Sequence, residues 1–581
     1  MRALTLPREP VTDRTMPPNR SGARLLVDQL LIQGVDHVFC VPGESFLAVL
    51  DALASERERI RVVVNRHESG ASFMAEAYGK LTGQPGVAFV TRGPGATNAA
   101  IGIHTACQDS TPLVLFVGQV GTGAIGREAF QEVDYIRMFG PLAKWVAQIE
   151  RADRIPEFVA RAFQVATSGR PGPVVLALPQ DVLVELTAAA DARCHQALCP
   201  APSDTQVAAL QRLLRKAQRP LILAGGAGWS EAAVTNLQRF AEASALPVAC
   251  AFRRQDLYDN RRPNYVGELG IAINPRLASR VRDADLVIAI GARLDEMTSS
   301  GYTLFTAPQP QQPLVHIHAD INELGRVYQP ELAICAGPAQ IAARLAMMIP
   351  VENPPWRDQT AAARADYLAW QQRPAVYASG QPRLDLWEVI QILKRALPAD
   401  TIVANGAGNF ATWAHRFWPY SGLRTQLAPV SGAMGYGAPA AIAAKIVAPE
   451  RSVVCFAGDG DFLMTGQELA TAVAEQAAVL FIVFNNGMYG TIRMHQEREF
   501  PGRVCSTALT NPDFGRLAES YGAFGARVDS TDEFGSALSA ALSHLRVQRR
   551  PALIELACDP EVITPNATLA AIRATALLTP R

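Results

Sequence analysis

Short apolar runs of strand length alternate along the chain with longer Ala- and Leu-rich stretches of helical character. The runs fall at 61–65, 86–91, 113–118, 174–178, 221–224, 286–290, 315–318, 401–404, 453–457 and 479–485. They are close to continuously apolar and bounded by Gly, Pro or Asp. Runs of this kind, separated by helices, predict parallel strands buried on both faces. Two polar, Pro-bearing stretches interrupt the pattern, at 188–205 and at 350–383. Cutting there gives units at 21–190, 200–350 and 380–570, with a linker at 351–379 and a disordered tail at 1–20. The predicted class is α/β, with three doubly wound parallel-sheet domains. No short-period repeat is visible, which excludes a solenoid.

Composition narrows the function. At about 100–200 residues per domain, 581 residues suit three or four domains. The 54 basic and 54 acidic residues cancel, so electrostatics gives no reason to expect nucleic acid or an anionic membrane as partner. The nine Cys contain no CxxC, which speaks against a disulfide framework or zinc site and for a reducing, cytoplasmic compartment. No apolar run approaches the roughly 18 residues needed to span a bilayer. The first 20 residues lack the apolar core of a signal peptide. A cytosolic enzyme of metabolic size is the expectation.

The strongest local signal lies between Val453 and Asn486. A strand pattern runs into Gly458-Asp459-Gly460-Asp461, a helix pattern follows, and a second apolar strand ends in Asn485-Asn486-Gly487. In open α/β sheets, ligands sit beyond the carboxyl ends of the strands, where Asp459 and Asn486 both fall. A carboxylate, an amide oxygen and a backbone carbonyl just past Asn486, at Met488, would be hard oxygen ligands suited to Mg²⁺. The flanking glycines would let the backbone approach a diphosphate closely.

This spacing resembles the diphosphate signature of thiamine diphosphate (ThDP) enzymes. The rest of the chain resembles their acetolactate (acetohydroxyacid) synthase branch. The matching stretches are Val41-Pro42-Gly43, Arg66-His67-Glu68, Ala75-Glu76-Ala77-Tyr78, Gly93-Pro94-Gly95-Ala96-Thr97-Asn98, Gly118-Gln119-Val120, Ala129-Phe130-Gln131-Glu132, Lys144 and Gly432-Ala433-Met434-Gly435. The resemblance implies a pyrimidine-binding N-terminal domain, a central domain that is empty or holds a flavin, and a diphosphate-binding C-terminal domain. It implies that Glu68 activates the cofactor through the aminopyrimidine, which then removes the thiazolium proton, and that Met434 wedges between the two cofactor rings. Gly432, Gly458, Asp459, Gly460, Asp461, Asn486 and Met488 would bind cofactor, with Asp459, Asn486 and Met488 on Mg²⁺. Phe130, Gln131, Lys144 and His495 would line the substrate channel, with Gln131 and Glu44 as further catalytic candidates. Gly225, Gly226, Arg293 and Asp320 mark where FAD would bind. A 2-keto acid such as pyruvate is the implied substrate. A homodimer or homotetramer is the implied assembly, with Glu68 of one chain meeting Asp459 of its neighbour.

Three positions depart from the branch. His495 stands where a Trp would favour 2-ketobutyrate as acceptor, and Met297 where an Arg would grip the acceptor carboxylate. Glu44 follows Val-Pro-Gly where synthases have a small residue; keto-acid decarboxylases place an acid there to protonate the carbanion. A synthase is the leading expectation, and a decarboxylase or C–C lyase with Glu44 as proton donor is the alternative. Three other features are read as decoys. Gly406-Ala407-Gly408 lacks the acidic partner of a dinucleotide fingerprint, so a ThDP-side turn is expected there. Gly79-Lys80 lacks the frame of a P-loop, and His316-Ile317-His318 is read as strand and not as a metal site.

Overall fold

The computed structural model describes residues 19–377 and 383–578. Its architecture is three six-stranded, wholly parallel sheets, each flanked by helices. The N-terminal sheet runs Arg61–Val64, His37–Cys40, Gly86–Val90, Leu113–Gln119, Pro173–Pro179, Trp145–Gln148. The C-terminal sheet repeats that order with Gln426–Leu427, Ile402–Asn405, Val453–Gly458, Leu480–Asn485, Ala552–Ala557 and Phe524–Val528. The central sheet instead steps outward on both sides of its first strand, Pro220–Ala224. Each order reverses at one place, and that reversal opens a crevice at the strand carboxyl ends. In the N-terminal sheet it lies after Cys40 and Val90. In the C-terminal sheet it lies after Asn405 and Gly458.

The two outer sheets share a core. Helices Glu68–Thr82, Pro94–Asp109 and Gly437–Val447 pack between them, and Phe73, Met74, Tyr436 and Ile442 belong to one continuous apolar cluster. Small residues allow this close approach. A Cβ on Gly102 would overlap the Ser72 side chain of the crossing helix.

Two boundaries differ from expectation. Arg20 is not tail. It pairs in a short antiparallel ladder with Thr187 and binds Asp28 and Asp191 at 2.7 and 2.9 Å. Residues 1–18 of the expected tail lie outside the described residues. The expected linker carries a helix, Arg357–Trp370, whose Asp366 pairs with Arg276 and Arg280. Trp356, just before it, is buried in the central core and donates its indole N–H to Ser244 O at 2.9 Å. Pro354 and Pro355 therefore lead into a packed helix rather than mark a loose connection.

Candidate active site

The C-terminal crevice holds a cavity of about 260 Å³ lined by Gly432, Met434, Gly458, Asp459, Gly460, Asn486 and Met488 among others. Ala407, Gly408 and Asn409 of the glycine turn that follows the strand Ile402–Asn405 also line it. Asp459 is buried at the end of its strand, and its carboxylate is oriented by three N–H donors. Gly460 N–H reaches Oδ1 at 2.9 Å, while Gly487 N–H and the Asn511 amide reach Oδ2 at 2.8 Å each. Among the described residues no cation pairs with it. Burial raises its pKa against those hydrogen bonds. A buried carboxylate without a counter-charge, beside the Asn486 amide and the Met488 backbone, is a donor set that fits a hard divalent cation such as Mg²⁺.

Asp461 also lines the cavity and braces its walls. It is buried in the cavity wall, and its Oδ1 accepts from Ala407 N–H at 3.1 Å and Gly435 N–H at 2.9 Å. It thereby ties together the two glycine turns that line the cavity. Burial pushes its pKa up to about 7. Gly432 and Gly487, at φ +69° and +68°, hold left-handed conformations that side chains disfavour.

At the N-terminal crevice, Glu68 opens the helix Glu68–Thr82 and accepts from the Asn98 amide at 2.9 Å. Glu44 pairs with Arg92 at 2.5 Å. Arg92 also donates to Phe130 O at 3.1 Å and faces the Phe130 ring at 5.9 Å. Gln131, at φ +65°, lies against Gly93. Glu44, Glu68, Phe130 and Gln131 thus share one strand-end edge. None of them lines the C-terminal cavity, whose walls come wholly from residues 386–563. Glu468 links the two regions, accepting from Arg66 and His67 N–H at 3.1 and 3.0 Å just ahead of Glu68.

Other expected residues lie elsewhere. Lys144 Nζ donates to Val165 O at 2.5 Å and Ser168 O at 2.7 Å, at the end of the helix Ile155–Thr167. Burial lowers its pKa to about 8. His495 is exposed on the helix Gly490–Glu499 and is not among the cavity-lining residues. His316 and His318 do share a strand face, with rings 6.3 Å apart; His316 Nε2 lies 3.0 Å from Ala292 O, while Asp320 N–H donates to His318 Nδ1 at 3.0 Å.

The flavin residues are committed to protein. Gly225 N–H donates to Ile290 O at 3.0 Å, and the Trp229 indole donates to Gly225 O at 2.8 Å. Arg254 donates to Gly226 O, and a Cβ on Gly226 would overlap the Gly291 carbonyl. Asp320 accepts from Asn322 at 3.0 Å, and Arg293 donates to Gln108 O at 2.8 Å. The cavity beside Arg293 includes neither glycine nor Asp320.

Sequence reasoning missed Asn511, Arg92 and Asn98 as the groups that hold the site carboxylates. Their partners lie far away in sequence, and only Asn98 belonged to a recognised motif.

Comparison with known proteins agrees with the geometry. The family model for the thiamine pyrophosphate enzyme N-terminal TPP binding domain matches residues 20–138. Those for the central domain and the C-terminal TPP binding domain match 207–345 and 406–556. The chain belongs to the thiamine pyrophosphate enzyme family. Its relatives include the acetolactate synthase large subunit of Parasynechococcus marenigrum, 34% identical, the match covering 91% of this chain and 87% of that one. The acetolactate synthase isozyme 3 large subunit of Escherichia coli is 32% identical over 91% and 93%. A probable acetolactate synthase large subunit of Methanocaldococcus jannaschii is 32% identical over 94% and 93%. The chain is thus a ThDP-dependent enzyme with acetolactate synthases among its relatives.

Proposed function

We propose that this chain is a Mg²⁺- and ThDP-dependent acetolactate synthase-like transferase acting on a 2-keto acid such as pyruvate. The observation that carries the reading is the C-terminal cavity, where the buried, unpaired Asp459 and the Asn486 amide face the Met434 loop across a glycine-lined space. Bound ThDP supplies a carbon nucleophile and an electron sink for decarboxylation. Asp459, Asn486 and the Met488 carbonyl would hold Mg²⁺ and with it the diphosphate. Met434 presents an apolar, unbranched side chain suited to filling the space between two rings. Glu68 offers a carboxyl fixed by Asn98 at the N-terminal crevice, able to exchange a proton with the cofactor's pyrimidine. In net terms one 2-keto acid loses CO₂. Its acyl carbon bonds to a second carbonyl, whose oxygen takes up a proton.

The lyase alternative assigns Glu44 as proton donor. Its carboxylate is instead engaged by Arg92, which favours the synthase. Product analysis of the purified protein with pyruvate, ThDP and Mg²⁺ decides between them. Acetolactate is expected; acetaldehyde as the main product would overturn the reading. With His495 exposed and Met297 off the cavity, pyruvate and 2-ketobutyrate should compete as acceptors without strong bias, because even a formed apolar pocket separates one methylene by only about 1–3 kcal/mol.

A further inference from the structure

The peptide from Ala428 to Tyr436 carries Gly432 and Met434 into the cavity, and side chains from all three domains hold its two ends. Lys80 Nζ donates to Ala428 O at 3.0 Å, and the buried Arg253 donates to Pro429 O. Asp109 Oδ1 accepts from Val430 N–H at 2.6 Å and Ser431 N–H at 3.3 Å, while its other oxygen pairs with Lys80. The Thr105 and Ser431 hydroxyls lie 3.1 Å apart. At the far end Asp461 takes Gly435 N–H, Thr465 donates to Gly435 O at 2.6 Å, and Tyr436 OH donates to Glu76 at 2.5 Å. Glu76 lies 3.2 Å from Lys80 Nζ, so both ends of the loop meet one ion cluster.

That cluster is a poor device for stability alone. Buried ion pairs are often no better than apolar residues of the same volume. Directed charges can, however, take the backbone N–H and C=O groups of an irregular loop, which apolar residues cannot. Burial works against the Lys80 charge, yet Asp109 and Glu76 outweigh it and raise the Lys80 pKa.

We propose that Asp109 and Lys80 are positioning residues that set where Met434 stands in the cofactor cavity of their own chain. This rests on the functional reading above, in which Met434 contacts bound ThDP.

A double-mutant cycle on the whole enzyme tests it. Asp109→Asn keeps the shape but removes the charge that holds Lys80; Met434→Ala removes the side chain being placed. ThDP affinity is read by quenching of intrinsic Trp fluorescence, since Trp413 lines the cavity. Asp109→Asn should weaken ThDP binding about 5–30-fold and lower kcat, with KM for pyruvate near wild type. In the Met434→Ala background the same substitution should change ThDP affinity less than about twofold. Additive effects would overturn the proposal, because Asp109 would then act independently of Met434. Should Asp109→Asn fail to fold, Lys80→Gln removes the ammonium that holds Ala428 O and pairs with Asp109 and runs the same cycle; additivity there overturns the proposal equally. A wild-type protein that neither quenches with ThDP nor consumes a 2-keto acid would remove the functional reading and this proposal together, whereas an active wild type with an additive cycle removes the proposal alone.

Discussion

Asp459 was legible from spacing alone, because Gly458-Asp459-Gly460 and Asn486 end adjacent strands. Its anchors were not, since Asn511 reaches it from 52 residues away. The same holds for Asp109, whose loop contacts span more than 300 residues. Sequence spacing shows which residues sit at strand ends; it does not show which side chains hold them there. The buried carboxylate should depend on a cation for its function. Asp459→Ala is expected to abolish the Mg²⁺ dependence of ThDP binding, since Mg²⁺ sites usually contain only one or two carboxylates. Calorimetric titration with and without Mg²⁺ reads this, and unchanged Mg²⁺-dependent affinity would remove Asp459 from the site. Glu68→Gln should behave differently. It keeps the Asn98 contact and cofactor binding while cutting turnover about 10²–10⁴-fold, the scale of one acid–base contribution. Steady-state kinetics at saturating ThDP checks it, and full activity would refute the role.

Most central strands announced themselves as continuous apolar runs because helices cover both their faces, though His37–Cys40, Val248–Cys250 and Ala552–Ala557 did not. Of the edge strands only Arg61–Val64 did; Trp145–Gln148, by contrast, is half-buried throughout, and its pattern is too weak to separate from a loop. The long-range clamps between helices were equally invisible. Helix Gly490–Glu499, whose first turns line the cavity, is fastened to the C-terminal helix Leu569–Leu578 by a bidentate pair. Arg573 meets Glu497 at 2.7 and 2.8 Å, and Arg493 meets it at 2.6 Å. The Arg573 hydrogen bonds, with help from Gly502 N–H and Arg493, hold Glu497 down at about 2. A carboxyl depressed in the folded state stabilises above its ordinary value and loses that contribution as pH falls through the folded one. The joint should therefore loosen between about pH 4.5 and 2. Glu497→Gln should loosen it already at pH 7 and flatten the acid response. Hydrogen exchange of residues 569–578 against pH measures this; protection unchanged by the substitution would contradict it.

At the scale of the whole molecule, the two outer sheets repeat one strand order, and each opens a crevice where that order reverses. Glu68 stands at the N-terminal edge, yet every residue lining the Asp459 cavity comes from the C-terminal domain. On the same edge, Phe130 leaves 73% of its surface exposed even with Arg92 facing its ring. Both facts are resolved if the N-terminal edge of one chain covers the C-terminal cavity of another. A two-fold pairing does this twice, because an isologous contact is reciprocal. Complementation then distinguishes a shared site from one contained in a single chain. Glu68→Gln and Asp459→Ala homodimers should each be nearly inactive. A heterodimer of the two, co-expressed with different tags and purified on both, would carry one site with both substitutions and one with neither. Its activity should recover to about half that of the wild-type dimer. If each site were built within one chain, every site in that heterodimer would carry a substitution. Activity would then stay at the level of the two parents, and that result would refute the shared arrangement whatever the assembly state.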